Sequence, residues 1–127
     1  MEIREATGGD VDALEALVDD DFDAARLLRE RTVVVATDGE DLVGFASYDT
    51  WSGTVHVSSL VGDPPVVDRL LDEPIRFAER EGLAVEIVVP DDDEDLTETI
   101  VDLGFEVVGK GPLFDGKSSH RYRYVQD

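Results

Sequence analysis

The sequence predicts an α+β domain of three layers, in which a mixed, mostly antiparallel sheet of six to seven strands is flanked by helices. Short β-branched or alternating apolar runs occur along the whole chain. Three other segments repeat apolar residues at three- and four-residue steps, the spacing of an amphipathic helix. The predicted order of elements is β-α-β-β-β-α-β-α-β-β. The 127 residues suffice for one core, so we expect a single domain over residues 1–127.

The N-terminal half is predicted to hold a short strand, a helical region and a three-stranded meander. Apolar residues from Leu14 to Leu28 lie on one helical face, with a break or bend near Asp19–Asp21. The turns of the meander carry Gly39 and Gly53, and turn residues of this kind favour hairpins. The four predicted strands are Glu2–Ala6, Thr32–Thr37, Leu42–Tyr48 and Thr54–Val61.

The C-terminal half is predicted to hold a crossover helix, a central strand, a short helix and a final hairpin. The crossover helix runs from Val66 to Glu81 and contains Pro74, which should bend its axis. Ala84–Val89 is an apolar run that is typical of a buried strand. The remaining elements are a helix at Asp95–Leu103, which Gly104 stops, and strands at Phe105–Val108 and Arg121–Val125.

The composition is strongly acidic, with 31 acidic residues against 11 basic ones and a formal net charge of -20. Only two of the basic residues are lysines, and this usage is typical of proteins from salt-accumulating halophiles, whose fold depends on high salt. Most of the acids are expected to act as a solvated surface, which argues against nucleic-acid binding. Cysteine is absent, neither histidine has metal-ligand spacing, and no apolar run reaches membrane-spanning length. A cytoplasmic protein without a metal is therefore expected.

Two C-terminal segments carry a family resemblance. They read LVGDPPVVDRLL over residues 60–71 and GFEVVGKGPLFDGKSSHRYRY over residues 104–124. Together with the N-terminal IREAT and the order of elements, they resemble the GNAT family, the GCN5-related N-acetyltransferases. The resemblance covers nearly the whole chain and implies transfer of an acetyl group from acetyl-CoA to the amine of a small molecule or peptide. It is also compatible with a homodimer, which is common in the family.

In this family the fourth strand diverges from the fifth, and the pantetheine arm of acetyl-CoA pairs with the exposed strand backbone. A glycine-rich loop then cradles the pyrophosphate at the start of a helix. This chain has Asp63-Pro64-Pro65 there instead, and prolines lack the amide donors that such a loop supplies. Arg69 is the one cation at the start of this helix, and Asp93 stands where many members have an asparagine. The residues that the resemblance assigns to the cofactor are Ser59, Leu60, Val61, Gly62, Val67, Arg69 and Asp93.

The catalytic residues of the family are harder to find. Its general acid is a tyrosine four residues before the glycine of the Gly-Phe pair, and Ile100 occupies that position here. The candidates for a general base are His56, Ser58 and Tyr48 on the predicted third and fourth strands. A structural role for His56 remains open, and His120 has no partner that the sequence reveals.

Two alternatives follow from these departures. The chain is either a divergent acyltransferase or a non-catalytic module of the same fold, which binds a ligand or a partner protein. In the second case Trp51, Phe114 and Tyr48 are the candidates for a contact surface. A third reading is an unrelated α+β domain that shares only the order of elements.

Overall fold

The computed structural model describes residues 1–18, 22–113 and 116–125. Over these residues the protein forms four α-helices, a short 3₁₀ turn and one seven-stranded sheet. The elements in chain order are β1 Glu2–Glu5, the 3₁₀ turn Gly8–Asp10, α1 Val11–Leu17, α2 Ala24–Glu30, β2 Thr32–Asp38, β3 Asp41–Trp51, β4 Thr54–Val61, α3 Pro64–Glu81, β5 Ala84–Pro90, α4 Glu94–Asp102, β6 Glu106–Lys110 and β7 Ser119–Tyr124.

The sheet has the strand order β1-β2-β3-β4-β5-β7-β6. Every neighbouring pair is antiparallel except β4 and β5, which are parallel and are connected through α3. The predicted fold class, a mostly antiparallel sheet of six to seven strands flanked by helices, is confirmed.

The two sheet faces are covered by different helices. One core cluster joins α3 and α4 to one face through residues such as Leu70, Leu71 and Ile100. The second cluster joins α1 and α2 to the other face, where Leu14 packs with Val35 and Phe45. This arrangement gives the three layers that the apolar periodicity predicts.

The predicted N-terminal helical region is two helices. Val18 is extended, with φ -118° and ψ 133°, so α1 ends at Leu17. Asp23 then caps α2 by accepting a hydrogen bond from the amide of Arg26 at 3.0 Å. The bend proposed at Asp19–Asp21 lies outside the described residues.

The helix α3 runs continuously from Pro64 to Glu81 through Pro74, whose side chain is buried. It ends at Gly82, which adopts the left-handed conformation with φ 69°. Its first turn lies close to the sheet beside Gly44. A Cβ atom added there would stand 2.5 Å from the carbonyl oxygen of Val61 and 2.7 Å from Cγ1 of Val66. Gly44 therefore allows the start of α3 to approach the end of β4.

The boundaries of the final hairpin differ from the prediction. Its strands are Glu106–Lys110 and Ser119–Tyr124, so the ladder extends further into the connecting loop than the apolar pattern indicates. Gly111 accounts for part of this, because its amide donates to the carbonyl oxygen of Ser119 at 3.0 Å.

Among the described helices, none combines the length and the apolar character that a membrane span requires.

Candidate active site

The central feature of the candidate site is a β-bulge in β4. Ser59 is the register partner of Ser47 on β3, and Val57 is the partner of the next β3 residue, Tyr48. Ser58 is therefore the extra residue of β4. Its hydroxyl oxygen lies 2.8 Å from that of Ser47, across the bulge. A bulge bends the strand that contains it, and here it marks the point where β4 leaves β5.

The parallel ladder between β4 and β5 is only four residue pairs long. It begins at Thr54 and Ala84 and ends at Val57 and Ile87, whereas β4 stays paired with β3 as far as Val61. Beyond Val57 the edge of β4 that faces β5 has no strand partner. The family resemblance implies that the strands diverge beside Ser59–Gly62, and the parallel ladder ends at Val57, just before these residues.

A cleft of about 260 Å³ opens where the two strands part. We call it the β4–β5 cleft. The end of β4 forms one wall, and the end of β5 with the start of α4 forms the other. The lining residues are Val57, Ser58, Ser59, Leu60, Ile87, Val88, Pro90, Asp93 and Leu96.

Several of the predicted cofactor residues come together at this cleft. Ser59 and Leu60 line it, and Asp93 lines its opposite side. Val61 ends β4 beyond the lining residues and packs against the core on the α1–α2 face, and Gly62 follows the strand. Asp93 caps α4, since its carboxylate accepts from the amide of Leu96 at 3.1 Å.

The start of α3 has no amide donor left for a phosphate. Pro64 and Pro65 have no N–H, and the amides of Val66 and Val67 both donate to the carbonyl oxygen of Asp63, at 2.9 and 3.0 Å. The side chain of Val67 is buried in the core. Both its amide and its side chain are already engaged in this geometry, and the assignment of Val67 to the cofactor stays a prediction.

Arg69 is also separated from the cleft. Its Nη1 donates to the carbonyl oxygen of Met1 at 3.2 Å. It borders a second depression of about 250 Å³ beside Asp68 and Asp72. The structure therefore does not bring Arg69 together with the predicted residues that line the β4–β5 cleft.

The three predicted catalytic residues occupy different surroundings. Ser58 is exposed and lines the cleft. His56 stacks on Trp51, with ring centroids 4.7 Å apart and an interplanar angle of 18°. Tyr48 is buried beneath α3 beside Phe77, and this burial raises the pKa of its hydroxyl. Of the three, only Ser58 lines the cleft.

The same placement revises the predicted contact surface. Trp51 is 62% exposed, whereas Tyr48 is only 9% exposed and cannot contribute its ring to a partner. Phe114 lies outside the described residues. Of the two aromatic residues of this group that the structure describes, Trp51 is the one with an exposed ring.

Sequence reasoning missed the partner of His120. Nδ1 of His120 lies 2.6 Å from Oδ1 of Asp91, which directly follows β5. The second carboxylate oxygen of Asp91 accepts from the hydroxyl of Ser118 at 2.6 Å. The hydrogen bond from Ser118 is the larger of the two causes that hold the pKa of Asp91 below its usual value, and the contact with His120 is the second. The two partners are 29 residues apart in the chain, and no local pattern links them.

Metal-ligating side chains are not gathered anywhere in the described part of the chain. No group of three or more histidine, aspartate or glutamate side chains converges as a metal ion would require. The acids near the cleft are bonded to neighbouring polar groups instead. Asp92, for example, pairs with Lys117 at 2.9 Å.

Comparison with known proteins shows the fold. No protein-family model matches the chain, and a search of curated proteins gave no match. Solved structures do match over the whole length. A ribosomal-protein-alanine N-acetyltransferase from Brucella melitensis is similar with a TM-score of 0.80 at 20% identity, covering 99% of this chain and 100% of that one.

Two further structures have the same architecture. An aminoglycoside 6'-N-acetyltransferase from Enterococcus faecium has a TM-score of 0.80 at 21% identity, over 98% of this chain and 96% of that one. The protein yncA from Salmonella typhimurium, assigned as an acetyltransferase and solved with its cofactor acetyl-CoA, has a TM-score of 0.79 at 21% identity. That match covers 100% of this chain and 94% of that one. The chain has the fold of GNAT acetyltransferases, so it shares with them the whole architecture and not only the order of elements.

Proposed function

We propose that this protein is an acyltransferase that moves an acetyl group from acetyl-CoA to an amine. One observation carries the proposal: the sheet divides after Val57, which leaves an unpaired strand edge along a cleft. An extended ligand with alternating amide groups can pair with such an edge as an added strand does. The pantetheine arm of coenzyme A is a ligand of this kind.

The donor is held mainly by β4 in this proposal. The segment Ser58–Val61 has β3 on one side and the cleft on the other, so its cleft-facing backbone groups are available to pantetheine. Backbone pairing tolerates many side chains, and an unusual sequence is therefore no obstacle. The similar structure of yncA contains acetyl-CoA, which supports the choice of donor.

The acceptor in this proposal is a cationic amine. Asp93 lines the cleft just after β5, and its negative charge favours a protonated amine over an anion. The names of two similar structures refer to an aminoglycoside and to a ribosomal-protein alanine. Both acceptors carry amines, so they are the natural first probes.

A specific observation favours a second candidate, a non-catalytic binding module with the same cleft. The first turn of α3 offers no free amide, and Asp63 and Asp68 place negative charge beside it. A pyrophosphate would be poorly stabilised at this helix start. If this defect prevents acetyl-CoA from binding, the cleft has another ligand or a protein partner.

Calorimetric titration of acetyl-CoA in multimolar KCl distinguishes the two candidates. We expect saturable binding to the wild type at micromolar concentrations. Ser58→Trp should weaken that binding by about tenfold or more, because an indole at this exposed position fills the cleft. Thr50→Trp is the matched control on β3, outside the cleft, and should bind as the wild type does. Absence of binding to the wild type at millimolar acetyl-CoA would refute the acyltransferase and favour the binding module.

A further inference from the structure

We propose that His120, oriented by Asp91, is the general base that accepts the proton of the acceptor amine. The proposal rests on the acyltransferase function proposed above and adds a residue that the sequence left without a role. It is carried by the geometry of a three-residue cluster whose members are neighbours, in the chain or in the β5–β7 ladder, of residues at the end of β5 beside the β4–β5 cleft. We call His120, Asp91 and Ser118 the rim cluster.

Every side chain in the rim cluster has a defined contact. Asp91 uses one carboxylate oxygen for Nδ1 of His120 and the other for the hydroxyl of Ser118, each at 2.6 Å. The backbone fixes the same arrangement, since the amide of Asp91 donates to the carbonyl oxygen of Ser118 at 3.0 Å. The register of β5 and β7 places His120 opposite Val89 and Ser119 opposite Pro90. His120 is therefore part of β7, and Asp91 and Ser118 are the residues that directly follow β5 and directly precede β7.

The carboxylate determines which nitrogen of His120 holds the proton. An ionised aspartate accepts a hydrogen bond, so the neutral imidazole carries its proton on Nδ1 and leaves the lone pair on Nε2. Orientation of a histidine base by a carboxylate in this way recurs in hydrolases of unrelated fold. Ser118 supports the ionised state of Asp91 by donating to its second oxygen.

The rim cluster adjoins the walls of the cleft. Pro90 and Asp93, which flank Asp91 and Asp92 in the chain, both line the cleft. Val88 also lines it, and the next residue, Val89, is the register partner of His120. The other histidine, His56, stacks on Trp51. Among the described residues, His120 is thus the histidine that combines a carboxylate partner with a place beside the cleft.

The chemical step is balanced without another reactant. The bound ammonium first releases one proton to solvent. The neutral amine nitrogen then attacks the thioester carbonyl carbon, forms the N–C bond and passes a second proton to Nε2 of His120. The C–S bond breaks, and its electron pair leaves with sulfur as the CoA thiolate. The thiolate then takes a proton from solvent, and the imidazolium releases one to solvent. A well-placed base of this kind contributes about 10²- to 10⁴-fold to the rate.

The experiment measures release of CoA thiol, with kanamycin, spermidine and an alanyl peptide as acceptors. The protein has no cysteine, so a thiol-reactive dye reports CoA alone. We expect His120→Gln to reduce kcat/KM by about 100-fold or more while acetyl-CoA affinity in calorimetry stays unchanged. Asp91→Asn should reduce kcat/KM by about tenfold or more, because an amide no longer selects the Nδ1–H tautomer. Asp102→Asn makes the same charge change at the far end of α4, outside the cleft lining, and should remain near the wild-type rate.

A second readout separates orientation from structure. ¹⁵N imidazole spectra of the wild type should show His120 as the Nδ1–H tautomer, and Asp91→Asn should lose that preference while His56 keeps its signals. If the wild type turns over and His120→Gln stays within about threefold of it, the role of His120 is overturned and the acyltransferase stands. If the wild type fails to bind acetyl-CoA, or binds it and releases no thiol with any of the three amines, the base assignment falls too. Calorimetry distinguishes those last two cases.

Discussion

The hydroxyl groups of Ser47 and Ser58 meet at 2.8 Å across the bulge of β4. Ser47 is fully buried, whereas Ser58 is exposed. The pair ties the extra residue of β4 to β3 at the point where β4 leaves β5. One hydrogen bond therefore spans the position that opens the cleft.

Ser47→Ala should destabilise the protein by about 1 kcal/mol, the usual contribution of a hydrogen bond in which one partner is buried. Ser58→Ala should cost less, because its environment is already wet. Urea unfolding of both single variants and of the double variant gives the coupling energy of the pair. If the two effects simply add, the hydroxyl groups do not interact, and the bulge is maintained by the backbone alone.

Replacing the two prolines at the start of α3 should improve acetyl-CoA binding. Pro64→Ala/Pro65→Ala restores two amide donors at a helix start, so we expect affinity to increase by about threefold to tenfold. Arg69→Ala should leave affinity unchanged, because the Arg69 guanidinium is bonded to the carbonyl oxygen of Met1. Calorimetry measures both. A large loss of affinity in Arg69→Ala would restore that residue to the cofactor site.

Gly44→Ala adds a single methyl group but should destabilise the protein strongly. The added Cβ meets the Val61 carbonyl oxygen at 2.5 Å and Val66 at 2.7 Å, and the backbone cannot give way without moving β4 or α3. We expect a loss of about 1–3 kcal/mol in the free energy of unfolding. Gly8→Ala is the matched control, since nothing lies within 4 Å of its added Cβ. Similar unfolding midpoints for the two variants would contradict this packing argument.

The Arg4–Asp10 pair should make stability depend on acidic pH. Asp10 accepts two hydrogen bonds from the Arg4 guanidinium, at 2.8 and 2.9 Å, and one from the Thr7 amide. The Arg4 hydrogen bonds are the main cause that lowers the pKa of Asp10 from 3.8 to about 2. A lowered pKa stabilises the fold above the unfolded-state value, and this stability is lost as the pH falls through the folded-state value.

The expected loss is about 1–2 kcal/mol, concentrated between about pH 4 and pH 2, with a discount because Arg4 is 40% exposed. Urea unfolding in multimolar KCl measures it, since salt screens the remaining carboxylates. Asp10→Asn should be less stable at neutral pH and should lose this part of the pH dependence. A variant with the pH profile of the wild type would remove Asp10 from the explanation.

Salt should stabilise the fold, because a net charge of -20 on 127 residues produces strong self-repulsion. At about 1 M salt the screening length is near 3 Å, and most of that repulsion disappears. We expect the thermal midpoint to rise steeply from salt-free buffer to multimolar KCl. Circular dichroism with a cooperative melt and a full spectrum in salt-free buffer would contradict the salt requirement.

Much of the fold was predictable because it depends on local patterns. The strand Thr54–Val61 has the predicted bounds, and Gly82 ends α3 where the helical spacing stops. The bulge was not predictable, since Ser58 and Ser59 give no sign of which serine is the extra residue. The end of α1 at Leu17 was also hidden, because the apolar spacing continues through Val18 and Phe22. The break or bend expected near Asp19–Asp21 falls on residues outside the described part of the chain.

The candidate site was predictable where the strand backbone forms it and unpredictable where tertiary contacts do. Ser59 and Leu60 line the cleft as the family resemblance implies. Arg69 turns toward Met1, which is 68 residues away in the chain. His120 and Asp91 meet only because β5 and β7 are neighbours in the sheet. Contacts of this type depend on the strand order, which sequence spacing does not specify.

The short ladder between β4 and β5 also determines how the molecule can move. Strands β1 to β4 form one antiparallel block, and β5, β7 and β6 form another, joined within the sheet by four residue pairs from Thr54 to Val57. On one face of the sheet, the core beneath α3 and α4 spans the junction between the two blocks. The cleft consequently opens at the junction of the two blocks, where these four pairs and the core beneath α3 and α4 hold the blocks together. A ligand bound in the cleft would fix the distance between the two walls. It would also make the junction between the two blocks of strands more rigid.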